Sequence, residues 1–180
     1  MKKINFKSVL VIVVTMSLSV FTFGQNHEMM NMNHHKKGEM HKTSNMVMLK
    51  DDNLNKAYMH YVMIRKDIFN ANTNRVKMMS KMLVDILNNY GKAPDAKNAA
   101  AKLAEASDIE MQRKLFAELT LSFEPLLKGQ VAKGTVYKNF CPMANGSGAY
   151  WFSNSEKIMN PYMGTKMPSC GSVKETFKSM

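Results

Sequence analysis

Asp52 to Asn70 reads DNLNKAYMHYVMIRKDIFN, and its spacing decides the fold class. Leu54, Ala57, Tyr58, Tyr61, Ile64 and Ile68 recur every three or four positions, so the stretch is predicted to be an amphipathic helix with one apolar stripe. A second helix follows closely. Asn72 or Thr73 can cap it, Val76, Met79, Leu83, Ile86, Leu87 and Tyr90 form its stripe, and Gly91 with Pro94 just beyond ends it. Pro94 suits the first turn of a third helix, on which Ala96, Ala99, Ala100, Leu103 and Ala106 make a smooth face for close packing. Ser107 and Glu110 match a capping box for a fourth, with Ile109, Phe116, Leu119, Phe123 and Leu126 on one side and Pro125 placed to kink or shorten it before Gly129. Short connections favour antiparallel neighbours, which predicts a mainly α fold, an up-and-down four-helix bundle, over residues 50–180.

The bundle is expected to be followed by a turn-rich C-terminal segment, from Phe140 to Gly171, that carries the chemistry. It holds both cysteines of the chain, Cys141 and Cys170, together with Met143, Met159, Met163 and Met167 and the one tryptophan, Trp151. Thiolate and thioether select soft ions such as Cu(I), whereas carboxylate and carbonyl suit hard ones. Pro142, Pro161 and Pro168 restrict the backbone while Gly146, Gly148, Gly164 and Gly171 permit reversals, so the cysteines can approach one another. Two arrangements are open. One is a metal site with Cys141 and Cys170 as ligands and Met143, Met163 or Met167 as further donors. The other is a disulfide staple, worth roughly 3–4 kcal/mol in the chain-entropy model, with Tyr150, Trp151, Phe152 and Tyr162 forming an exposed aromatic patch that docks a partner.

Cys141-Pro142-Met143-Ala144, Gly148-Ala149-Tyr150-Trp151, Asn160-Pro161-Tyr162, Gly164, Met167 and Cys170-Gly171 resemble the terminal signature of a bacterial exported domain of unknown function. That domain occurs alone or attached to periplasmic adaptor subunits of RND-type copper and silver efflux pumps. The resemblance is specific over Val136 to Val173. It implies an exported helical domain that handles a heavy metal, with copper as Cu(I), silver or another soft ion as cofactor, and an efflux adaptor or metallochaperone as partner. Phe152, Met159 and Met163 depart from the pattern, and the last two add sulfur.

Residues 1–24 read as a secretory signal peptide, with Lys2, Lys3 and Lys7 before the apolar run from Val9 to Phe23. The run is short and interrupted by Thr15, Ser17, Ser19 and Thr22, so no membrane span is expected to remain, and the protein is expected to be periplasmic or secreted. Residues 25–49 form a polar tail with His27, Met29, Met30, Met32, His34, His35, Met40 and His41. With almost nothing to build a core, it is predicted to be disordered, and its imidazoles and thioethers read as metal capture. The formal charge of +11 is basic; export and the lack of any motif with interleaved aromatics argue for a solvated basic face and no nucleic-acid partner. Neither cysteine has a histidine in its segment, and no His-Glu-x-x-His pattern or phosphate loop occurs, so no catalysis is expected. Met59, Met63, Met78, Met79, Met82 and Met111 fall at helical positions where thioethers fill core gaps or lie on the surface. Met59 and Met63 share a face one turn apart, with His60 placed off it.

Overall fold

A computed structural model describes residues 46–179, so the predicted signal segment and tail residues His27 to His41 lie outside the described residues. Four helices come first: α1 (Asp52–Phe69), α2 (Thr73–Tyr90), α3 (Pro94–Glu105) and α4 (Ile109–Leu127). Asp51 caps α1 by accepting from the backbone N–H groups of Asn53 and Leu54, and Asn72 caps α2 by accepting from Arg75. Gly91 ends α2 in the left-handed region, φ 72°, which glycine adopts without a Cβ penalty. At α4 the sequence expectation is corrected: Asp108, not Ser107, is the cap and accepts from Met111 N–H. The helix also runs on past Pro125 to Leu127, because a proline near a C-terminus removes only one late hydrogen bond. Consecutive helices pack together, and α1 also meets α4. No helix among the described residues is long and apolar enough to cross a membrane.

The region after α4 corrects the fold class from mainly α to mixed. Strand β1 (Met48–Leu49) pairs antiparallel with β2 (Val131–Lys133). Strands β3 (Thr135–Cys141), β4 (Ala149–Ser153) and β5 (Ser172–Lys178) form an antiparallel sheet in the order β4-β3-β5. The C-terminal segment is therefore a sheet with two long excursions, not a run of turns. The boundary of the expected tail at residue 49 is corrected as well. Val47 and Leu49 are buried in the core, and β1 is fixed to β2, so the folded part begins before residue 50.

Helices and sheet share one core, and Tyr61 joins them. Its ring packs between Phe116 and Phe123 of α4 and Phe152 of β4, at centroid distances of 5.0, 5.1 and 5.9 Å. Thr120 Oγ1 donates to the Phe116 carbonyl, so the Tyr61 hydroxyl donates to Thr120 at 2.7 Å and accepts from Phe152 N–H at 3.1 Å. All of these groups are buried. Tyr61→Phe keeps the ring but orphans the Phe152 N–H, and is expected to lower stability by about 1–3 kcal/mol, read by urea denaturation.

A second tie is ionic. Lys138 of β3 donates to Glu124 of α4 at 2.7 Å and lies 4.7 Å from the centre of the Tyr150 ring. That hydrogen bond, ahead of the neighbouring Lys128, holds the Glu124 carboxyl below its ordinary range. A depressed carboxylate stabilises the fold above its unfolded-state pKa, and that contribution is lost as pH falls through the folded-state value. Denaturation midpoints of the parent are expected to fall on acidification below the ordinary glutamate range, and Glu124→Gln to flatten that part of the profile.

Candidate functional site

Antiparallel register brings the cysteines together. Phe140 of β3 pairs with Ser172 of β5, so the residue after Phe140 and the residues before Ser172 face each other across the sheet end. Cys141 Sγ and Cys170 Sγ stand 3.0 Å apart although the residues are 29 positions apart in sequence. Cys141 is buried on its strand, while Cys170 is half-buried on the loop before β5. The adjacent Cys141 sulfur, foremost through the hydrogen bond between them, pushes the Cys170 thiol above its ordinary pKa.

Asn160 holds the loop that presents Cys170, a role that sequence reasoning missed. It is fully buried. Its Nδ2 donates to the Cys170 carbonyl at 2.7 Å, and its Oδ1 accepts from Tyr162 N–H at 2.8 Å and Met163 N–H at 3.2 Å. Its own N–H donates to the Pro168 carbonyl at 2.9 Å. The signal was present in the Asn160-Pro161 pair, since asparagine before proline favours a turn closed by the side-chain oxygen. Gly171, beside Cys170, sits at φ 128°, and a Cβ there would lie 2.8 Å from both the Phe140 carbonyl oxygen and the Trp151 ring. The thiol loop is thus pressed against the rim of the Trp151 ring, at Cη2, so closely that only glycine fits.

The aromatic expectations are corrected. Trp151, Phe152 and Tyr162 are buried, and Tyr150 is half-buried. Trp151 meets Tyr162 edge to face at 6.1 Å, and Tyr162 packs on Phe116 of α4 at 6.0 Å. The Tyr162 hydroxyl donates to the Tyr150 carbonyl. These rings present no exposed patch for docking, because both faces of β4 are covered: Phe152 packs on Tyr61 of α1 and Phe177 of β5, and Trp151 on Tyr162.

The expected sulfur donors divide. Met143, two residues after Cys141, is 58% exposed, and Met167, whose carbonyl accepts from Cys170 N–H, is 39% exposed. Both are exposed and close to a cysteine in sequence. Met163 does not join them. It is half-buried and lines a cavity walled by Phe69, Ile109, Glu110, Arg113 and Lys166, to which neither cysteine contributes, so its place in the ligand set is corrected. Among the described residues no three side chains drawn from His, Cys, Asp and Glu converge, and the donors present at this loop are the two cysteine sulfurs. That donor set suits Cu(I) or Ag(I). At metal–sulfur distances of about 2.3 Å, two thiolates on one ion stand roughly 3.8 Å or more apart, so the pair must open by nearly an ångström to share it. No family model matches the sequence, and neither a curated protein nor a solved structure matches it.

Asn160→Ala removes the brace on Cys170 and leaves buried partners unpaired. It is expected to lower stability by at least about 2 kcal/mol and to raise the reaction rate of Cys170 with a thiol-specific reagent, measured against the parent at the same pH.

Proposed function

We propose that the protein is an exported, periplasmic binding protein for a soft heavy-metal ion, Cu(I) or Ag(I), that works with an efflux adaptor or metallochaperone. In this reading an up-and-down helical bundle is the scaffold, residues 25–49 collect ions through His27, Met29, Met30, Met32, His34, His35, Met40 and His41, and the thiol pair is the tighter site. The observation that carries the reading is the pairing of two free thiols at 3.0 Å, one of them half-buried, with Met143 and Met167 exposed within three residues of them in sequence. Thioethers need no deprotonation and cannot be consumed by disulfide formation, so they remain donors in an oxidising compartment. The resemblance of Cys141 to Gly171 to the metal-associated exported domain supports the same assignment.

A disulfide staple is the second reading, favoured by the same 3.0 Å separation, from which the two sulfurs need close by only about an ångström to reach the bonded distance of about 2.05 Å. Competition for Cu(I) against a chelator, under reducing conditions, separates the two. If the site binds, Cys141→Ser and Cys170→Ser each lose tight binding, and Met143→Leu and Met167→Leu weaken it at nearly constant size and apolarity. If the pair is a staple, either serine variant loses roughly 2–5 kcal/mol of stability in air, and the methionine changes leave Cu(I) competition unaltered. A variant lacking both cysteines and residues 25–48 that competes as well as the parent would end the thiol-site proposal.

A further inference from the structure

Methionine is among the residue types most often buried in folded proteins, yet here it is kept out of the core. Of the methionines among residues 46–179, none is buried; only Met79 and Met163 are half-buried. Among the described residues every exposed large apolar side chain except Leu121 is a methionine: Met46, Met48, Met59, Met63, Met78, Met82, Met111, Met143, Met159 and Met167. Leucine, isoleucine, valine and phenylalanine dominate the interior, and of the two places expected for the helical methionines, core gap or surface, Met59, Met63, Met78, Met82 and Met111 take the surface.

Four of these lie in pairs one turn apart. Met59 and Met63 on α1 are 49% and 41% exposed, and Met78 and Met82 on α2 are 47% and 45% exposed. Positions four apart on a helix bring their Cβ atoms within about 5–6 Å, close enough for both side chains to reach one ion. A third donor is at hand on α1: His60 lies off the line of Met59 and Met63 but is three positions before Met63, which makes it a neighbour of that residue on the helix surface. Its Nδ1 lies 3.0 Å from the Lys56 carbonyl oxygen. A carbonyl only accepts, so Nδ1 carries the proton and the Nε2 lone pair is left for a ligand.

We infer that Met59, His60 and Met63 form a second soft-metal site on the outer face of α1, with Met78 and Met82 as a thioether-only pair on α2. This deepens the metal-binding reading but is independent of the cysteines. The donors are neutral, and Lys56 and Lys66 stand one turn to either side, which disfavours a hard divalent cation. The nearby carboxylate, Asp67, lines a cavity with Met63 but is buried, and its Oδ1 is paired with Arg75 Nε at 3.1 Å. A monovalent ion bound by sulfur and imidazole, Ag(I) or Cu(I), is the ligand class that fits.

Met111 supplies the control, because it is 47% exposed on α4 with Ser107 and Leu115 four positions to either side and so has no partner thioether. The test is titration with Ag(I) of the full chain carrying Cys141→Ser and Cys170→Ser, with methionine methyl groups isotopically labelled and followed by NMR. Chelation predicts that the Met59 and Met63 methyls shift together, at least ~10-fold tighter than Met111, since the second donor binds intramolecularly. It also predicts that Met63→Leu returns Met59 to the affinity of Met111, and that His60→Gln weakens the pair while leaving Met78 and Met82 unchanged. If Met59 and Met63 titrate separately, at the affinity of Met111, the α1 site does not exist. That outcome leaves the thiol site standing if the protein with both cysteines still competes for Cu(I), so the two proposals fail separately.

Discussion

The hydroxyl of Tyr61 is the point on which the architecture turns. The helices would leave their inner faces open without the sheet, and the sheet has too little apolar surface of its own to stand alone. Their junction buries a strand N–H, Phe152, which in an all-apolar contact would lack a partner at a cost of a few kcal/mol. A phenol supplies both what the core needs and what that backbone group needs: a flat ring among Phe116, Phe123 and Phe152, and one oxygen that accepts from β4 while its hydrogen goes to α4. Burial raises the pKa of Tyr61, so the hydroxyl remains a donor throughout the neutral range. Placing β4 places β3 by its ladder, and β3 carries Cys141.

The helices were legible because each satisfies several local rules at once. Tyr61 lies on an apolar stripe of the right period, Asn72 precedes α2 as a cap, and Gly91 follows it in the conformation that glycine favours. The strands were not. β5 is exposed at most of its positions and reads Ser172-Val173-Lys174-Glu175-Thr176-Phe177-Lys178, with only Val173 and Phe177 as apolar members, four apart. On β3 the pairing slips between Lys138 and Asn139, which breaks the alternation a strand would otherwise show. The prolines and glycines between strands were visible, and they read as turns because nothing local announced what they connect.

The site was legible in its composition and only partly in its geometry. That Cys141 and Cys170 could meet follows from reversals between them; that they do meet follows from the pairing of Phe140 with Ser172, a long-range register that spacing does not encode. The direction of Trp151 was not legible either, since an aromatic beside a strand can face either side, and only packing against Tyr162 and Gly171 decides it. Met163 looked equivalent to Met167 in sequence, yet the turn that Asn160 closes sends its side chain toward α4. Surface placement of the helical methionines was implicit in their positions: Met59, Met63, Met78 and Met82 all lie off the stripes that predicted the helices.

The unequal depth of the two thiols gives the pair an order of events. A reagent arriving from solvent meets Cys170 first, because Cys141 is fully buried on β3. Cys170 is a reluctant nucleophile, since its neighbour keeps it protonated above the usual range, and the thiolate is the reactive form. Once the outer sulfur has formed a mixed disulfide, however, the inner one is already at striking distance and displaces the adduct without diffusion. A small disulfide arriving this way therefore leaves no lasting mark on the protein: it closes the pair and departs as two thiols, and two small thiols reopen the pair and depart as their disulfide.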